Sequence, residues 1–438
     1  MRSLLALLFA FMLVAAACGS DDGDDATEAG AEDSDTTEAM EDDDAMEEGA
    51  LGTVVVPAGD AIQIRSLNAI TGDAAFLGVP NQRAAELAVA DYGQVNGFDV
   101  SIGTGLDDLC SADGGQAAAQ TIVADEQVVG VIGTTCSGAA TAAAPLISEA
   151  GIVMISPSNT SPALSSDLAG TAGDNYSVGY YRTAHNDLFQ GAAMADFVFN
   201  QLGFTTAAAI HDGDPYTQGL AQAFADAFTA LGGEVTGFTG VAKGDTDMVP
   251  VLTEVAAASP EVIFFPIFQP ESDFIADQAP GVSGLENTVL LSADGSLVDG
   301  FLELAQSEGM YFSGPDTRFG ENTNASTGKT ANDVLDAYNA AYGEAPSAPF
   351  WGHSYDATAL LLDAIGTAST VDGDGNLVID RQGVRDALNA TSGYSGIIGT
   401  LSCDEFGDCG SQKITIIEHL SADDIEASKA NVIFEFAP

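Results

Sequence analysis

The sequence predicts an α/β protein of two doubly wound lobes, each built on a mostly parallel sheet, and three observations lead there. The chain has 438 residues, 46% of them hydrophobic, enough for two domains with a full core each. From residue 60 onward short apolar runs alternate with longer amphipathic ones, the pattern of βαβ units. That rhythm restarts after "YYRTAHND", so one chain carries two such units.

Taken in order, the first element is "MRSLLALLFAFMLVAAAC": one positive charge at Arg2, an apolar run from Leu4 to Val14, and small residues before Cys18. Residues 1–17 read as a secretory signal, too short to be a comfortable permanent span. Its ending "LVAAAC" resembles the bacterial lipobox, in which the Cys is diacylated and becomes the new N-terminus, with Ala15 standing where Leu is usual. A lipid on Cys18 is the expectation. Residues 18–50 follow as a tether, since Ser20 to Ala50 holds 15 Asp and Glu and no Lys or Arg. Such a segment buries too little surface to offset its ordering entropy, and its like charges extend it.

In the first unit "AIQIRSL", "FDVSIGTGL", "VVGVIGTT" and "GIVMISPS" read as strands, with "NQRAAELAVADYG" and "AAAPLISEAG" as helices between them. In the second, "AAAIHD", "EVTGFTGV", "VIFFPIF", "TVLLSAD" and "GMYFSGP" are strands, and "YTQGLAQAFADAFTALGG" is a helix. The last third adds helices over "TANDVLDAYNAAYG" and "YDATALLLDAIGTA", a loop "VDGDGN", a helix from Arg381 to Asn389, and a hairpin around "GTLSCDEFGDCG". Residues 372–380 imitate a calcium loop at their first, third and fifth positions. Leu377 stands where an EF-hand needs Gly, and no Glu closes the twelfth position, so the loop reads as a plain acidic turn and no metal site is expected.

Doubly wound sheets carry ligand groups at the carboxyl ends of their strands, which places a site between the two units. "VVGVIGTT" runs into "CSGAATAAAPL", and Ser137 falls where the next helix begins. A serine capping that end satisfies one free amide, while the remaining amides and the helix dipole attract an anion such as a carboxylate. Nucleophilic attack by Cys136 or Ser137 would need a base, and the sequence offers no G-x-S-x-G elbow and only His185, His211, His353 and His419. The pattern is that of a binding protein, with no enzyme activity and no cofactor expected. The next strand ends in "ISPSNTSPAL", where Ser158, Asn159 and Thr160 offer a carbonyl, hydroxyls and amides.

With Cys18 reserved for lipid, Cys110, Cys136, Cys403 and Cys409 remain, an even number suited to an oxidising compartment. Three pairings are open; the short spacing in "CDEFGDC" favours Cys403 with Cys409, which leaves Cys110 with Cys136. Zinc is the rival, but there is no C-x-x-C and no His at ligand spacing. Of 65 acidic residues 50 lie beyond the tether, against 10 basic ones beyond Arg2, a formal charge near −40. That balance excludes the basic footprint of a nucleic-acid binder, and it suits an exported protein in salty water as well as it suits compositional drift.

The pieces "DDLC", "VIGTTCSGAAT", "GIVMISPSNTSPAL", "YRTAHNDLFQG", "HDGDPYTQGLA" and "GTLSCDEFGD", in this order, resemble the bacterial periplasmic leucine/isoleucine/valine-binding proteins. These are branched-chain amino acid receptors of ABC transporters with the type I periplasmic binding fold, and the resemblance covers nearly all of residues 60–438. It implies that Ser137 and Thr160 hold the ligand carboxylate, that the Ser158 carbonyl and Asp294 take the ammonium, and that Tyr216 closes from the second lobe. It also implies that the Cys of "DDLC" pairs with the one before the binding serine. Asp294 is shorter than the usual Glu, and Phe76 and Phe268 align roughly with tyrosines of the family. Relatives of the fold bind amides, urea or aromatic acids, so these departures bear on the ligand; Phe76, Phe268 and Trp351 also read as core aromatics. A three-segment hinge is implied near Thr183, Asp316 and Gly393, giving one lobe of residues 51–183 and 316–393 and another of 184–315 and 394–438. The implied partners are a small ligand, a permease with its ATPases, and the membrane through the lipid, on the extracytoplasmic face. The alternative role is a ligand-binding sensor acting through a separate partner.

Overall fold

The computed structural model describes residues 50–437, so the signal, Cys18 and nearly all of the tether lie outside the described residues. The first part of the chain forms β1 (Thr53–Val56), β2 (Ile62–Asn68), α1 (Ala75–Tyr92), β3 (Val100–Ser101), β4 (Leu106–Asp107), α2 (Ala112–Val123), β5 (Val128–Gly133), α3 (Ser137–Glu149), β6 (Val153–Ser156) and β7 (Tyr180–Arg182). Its sheet runs β3-β2-β5-β6-β7 with every pair parallel, and β4 pairs with the far end of β2. Strands β5 and β6 are buried along their whole length, as their unbroken apolar runs require when helices cover both faces.

The middle of the chain forms α4 (Asp187–Asp196), β8 (Thr206–His211), α5 (Pro215–Ala230), β9 (Glu234–Gly240), α6 (Val249–Ala256), β10 (Val262–Phe264), α7 (Glu271–Gln278), β11 (Val289–Ala293), α8 (Asp299–Leu302) and β12 (Tyr311–Pro315). These strands make a second parallel array in the order β9-β8-β10-β11-β12. In both sheets the first strand lies between the second and the third. The order reverses there, and ligands bind at such a switch point in open α/β sheets.

The remainder forms α9 (Ala331–Tyr342), α10 (Trp351–Thr367), β13 (Ser369–Val371), β14 (Leu377–Asp380), α11 (Arg381–Asn389), β15 (Tyr394–Gly396), β16 (Gly399–Leu401), β17 (Ile414–Glu418), α12 (Ile425–Ala430) and β18 (Val432–Phe436). Helix α10 is buried over most of its length, with Leu361 and Ile365 in the core of the first sheet beside Ile64, Val129 and Ile155. Strand β17 extends the second sheet antiparallel to β12, β18 adds antiparallel to β17, and β1 pairs with β14 in a small separate sheet of order β1-β14-β13.

Several sequence expectations need correction. "FDVSIGTGL" yields only the two short strands β3 and β4, and the strand in "VIFFPIF" ends at Phe264. The hairpin turns between Gly396 and Gly399, ahead of the two cysteines. The chain rejoins the second sheet at Ile414, where β17 begins. Ile397, Ile398 and Leu401 pack with Ala84, Trp351 and Tyr355 on the first-sheet side. They are held there because the amides of Ile397 and Ile398 donate to the buried Asp356 of α10, each at 2.9 Å. Asp408 then forms a buried ion pair with Arg182 at the end of β7. The acidic loop at residue 372 is the turn joining β13 to β14, in which Asp372 Oδ1 accepts the Asp374 and Asn376 amides at 2.9 and 2.8 Å.

Candidate functional site

A cavity with an empty volume of about 320 Å³ lies between the carboxyl ends of the two sheets. Leu77, Thr135, Cys136, Ser137, Ser158 and Phe350 line it from the first-sheet side, and Tyr216, Phe268, Asp294 and Gly295 from the second.

The first wall is a rigid corner. Cys110 and Cys136 are joined by a disulfide across 26 residues, with Cα atoms 5.1 Å apart. The buried Asp108 of "DDLC" accepts the Cys110 amide with one oxygen and the Thr135 amide with the other, both at 2.7 Å. Cys136, not Ser137, is the N-cap of α3; it has no side-chain capping bond, and its carbonyl accepts the Ala139 and Ala140 amides. Ser137 is thus the first helical residue, 2% exposed and lining the cavity, with its hydroxyl accepting the Ser161 amide at 3.4 Å. Boundary residues shift by one between sequence reading and structure, and here the shift frees the hydroxyl from capping. Ser158 is fixed by its own hydroxyl, which donates to the Thr135 carbonyl at 3.0 Å and accepts from Asn81 at 3.1 Å.

The second wall carries charge. Asp294, 4% exposed, follows β11 and accepts the Gln190 amide at 2.5 Å and the Tyr216 hydroxyl at 3.2 Å. Burial pushes its carboxyl up to about 6. His185 lies behind Gln190, with Nε2 at 2.6 Å from Gln190 Oε1, and burial pushes the imidazole down to about 4. The ring is therefore neutral near pH 7, and because the Gln190 amide nitrogen already faces Asp294, Nε2–H is the donor. Asp187 is a further buried acid, raised by burial and by Asp294. Tyr216 and Phe268 stack at 5.1 Å and form the apolar part of this wall.

The structure brings Ser137, Ser158, Tyr216, Phe268 and Asp294 onto one cavity, and it leaves Asn159, Thr160 and Phe76 off its lining. The Asn159 amide is used in holding loops: its nitrogen donates to the Thr135 carbonyl at 3.0 Å and its oxygen accepts from Thr134 and Tyr180. Thr160 is fully buried, and its carbonyl takes the first amide of α4 at 2.9 Å. Phe76 packs half-buried against the second sheet's core, and its neighbour Leu77 reaches the cavity instead. Trp351 is a core aromatic edge-on to Phe319 at 5.5 Å, while Phe350 beside it lines the cavity. Thr135, Leu77, Gly295 and Phe350 were missed by sequence reasoning, although each adjoins a residue it had singled out. The second disulfide joins Cys403 and Cys409, as their spacing suggested. Among the described residues no group of His, Cys, Asp and Glu is arranged to hold a metal, and no helix is long and apolar enough to cross a membrane.

Two doubly wound sheets facing each other across a small cavity, with hydroxyls on one side and a buried carboxylate on the other, define a two-lobed solute-binding protein. The periplasmic binding protein family matches residues 61–416, and the chain belongs to that family. It is 27% identical over 368 residues to the Leu/Ile/Val-binding protein homolog 3 of Brucella melitensis, an alignment covering 82% of this chain and 91% of that one. It is 26% identical over 376 residues to the leucine-, isoleucine-, valine-, threonine- and alanine-binding protein of Pseudomonas aeruginosa, covering 82% and 90%. Among solved structures, a leucine-binding protein of Thermotoga maritima superimposes with a TM-score of 0.72 at 25% identity, covering 86% of this chain and 99% of the other. Membership of a family of binding proteins agrees with the reading of Cys136 and Ser137 as non-catalytic.

Proposed function

We propose that the protein is the extracytoplasmic receptor of an ABC importer, holding a small amino acid of the branched-chain type and delivering it to a membrane permease. The ligand carboxylate sits at the Ser137 hydroxyl and the start of α3, where the helix dipole favours an anion. The ammonium lies between the Ser158 carbonyl and Asp294, and Leu77, Tyr216, Phe268 and Phe350 enclose the side chain. The moving units are the two sheets with their helices, hinged near residues 183, 316 and 410. Ligand contacts to both sides favour the closed state. Acylation of Cys18 holds the receptor at the membrane through the acidic tether, which mass spectrometry of the mature N-terminus tests.

One observation carries this reading: a buried carboxylate lines the cavity with neutral donors for partners and, among the described residues, no cation paired with it. Such a wall suits an ammonium and opposes a ligand that is only an anion. Isothermal calorimetry with L-leucine, L-isoleucine and L-valine, against acetamide, urea and benzoate, tests it. Saturable binding of an α-amino acid is expected, and heat only from benzoate, urea or the amide would overturn the reading.

A further inference from the structure

Two protein groups reach from the second-sheet side to the first beside the cavity walls. Asp214 belongs to the second-sheet side as the N-cap of α5, where its Oδ1 accepts the Tyr216 amide at 2.9 Å. Its Oδ2 lies against the backbone of Gly138 in the first turn of α3, on the opposite side. A Cβ on residue 138 would stand 2.4 Å from that oxygen and 3.4 Å from Pro215 Cδ. The Gly138 amide also draws the Asp214 carboxyl downward, against a larger upward push from burial. One carboxylate therefore faces the amino ends of two helices, one from each side, where the dipoles of both favour it. The second bridge is Lys243, one of only four lysines in the chain, whose Nζ donates to the Cys110 carbonyl at 3.0 Å. Cys110 is bonded to Cys136, the cap of α3, so both bridges grip the same disulfide-fixed corner.

We propose that Asp214 and Lys243 form a cross-cleft latch that clamps the Cys110–Cys136 corner when the lobes close, and that Gly138 is glycine because the latch needs its missing side chain. Both are positioning residues. Asp214 starts the helix that carries Tyr216, and Gly138 follows Ser137, so the latch couples closure to the two walls of the cavity. The proposal rests on the amino-acid reading only for the choice of L-leucine as the probe.

The test uses the full chain with spin labels carried by unnatural residues at the exposed positions 121 on α2 and 222 on α5. Distance distributions are recorded with and without L-leucine. Gly138→Ala adds one methyl and improves helix propensity, so thermal unfolding without leucine should match the wild type or rise slightly. It should deplete the short-distance population and weaken leucine binding by at least about 10-fold, because apparent affinity scales with the closed-competent fraction. Lys243→Met should weaken it by about 3-fold, the net effect of one hydrogen bond to a charged group at a partly exposed site. Asp214→Gly keeps a tolerated cap and removes the clashing oxygen. Added to Gly138→Ala, it should return the protein to the level of Asp214→Gly alone. Wild-type distances and affinity in Gly138→Ala, or additive losses in the double variant, would overturn the latch. If L-leucine leaves the wild type unchanged, the ligand reading fails; the latch then stands or falls on the unligated distributions, where a variant identical to the wild type overturns it.

Discussion

Asp408 and Asp294 are both almost fully buried carboxylates, 5% and 4% exposed, and they are satisfied by different means. Asp408 pairs with the Arg182 guanidinium and also accepts the Ser165 hydroxyl at 3.0 Å and the Asn186 amide at 3.2 Å. Asp294 accepts a side-chain amide, a phenol and its own backbone amide, all neutral. Neutral donors offset part of the desolvation of a charge but do not cancel it, and burial accordingly holds Asp294 up at about 6. The first carboxylate is completed within the chain, as a structural pin at the end of β7. The second faces a cavity, and the proposed ligand ammonium would complete it.

The comparison predicts opposite responses to neutralisation. Asp408→Ala should cost about 3–5 kcal/mol in urea unfolding, because it strands the buried guanidinium of Arg182. Asp294→Asn should leave the unligated protein as stable as the wild type or more so, since it removes an uncompensated charge. Equal losses in the two variants would erase the distinction. A smaller effect is expected at the corner of the first wall, where Cys110→Ser with Cys136→Ser releases a 26-residue closure and should cost about 3 kcal/mol. Leucine affinity should fall along with stability there, because the same corner presents Ser137. Ser137→Ala comes last. It should weaken leucine binding by about 1–3 kcal/mol with a smaller loss in unfolding, since Ser137 lines the cavity and its hydroxyl is not a cap but accepts the Ser161 amide over a long 3.4 Å.

Residue types with one dominant physical role were readable from the sequence. The buried strands β5 and β6 announce themselves as unbroken apolar runs, and the spacing of Cys403 and Cys409 singles out one pairing. Ser137, Ser158 and Asp294 follow strand ends, where this fold class gathers ligand groups, and they meet on one cavity. What stayed hidden depends on three-dimensional competition for the same polar atoms. Asn159 is as polar as Ser158, and only the packing of Thr134, Thr135 and Tyr180 shows that its amide is directed to structural ends, while the carbonyl of Thr160 is taken by the first amide of α4. The return to the second sheet at Ile414 was equally hidden, since it depends on Asp356 and Arg182 reaching residues 397 and 408 across long sequence separations.

The central claim is that Asp294 is completed by a ligand ammonium, and a calorimetric pH series tests it most directly. L-leucine and 4-methylpentanoate, which lacks the amino group, are titrated into the wild type and Asp294→Asn between pH 5 and 8. An ammonium favours the ionised carboxylate, so binding expels a proton wherever Asp294 is protonated beforehand. Wild-type affinity for leucine should therefore be flat above about pH 7 and fall by up to about 10-fold per unit below pH 6, because the carboxyl titrates near 6. Asp294→Asn should bind leucine weakly and without this dependence, and 4-methylpentanoate should not bind the wild type at pH 7. Equal affinity for the two compounds, or a leucine affinity untouched by Asp294→Asn, would contradict the account.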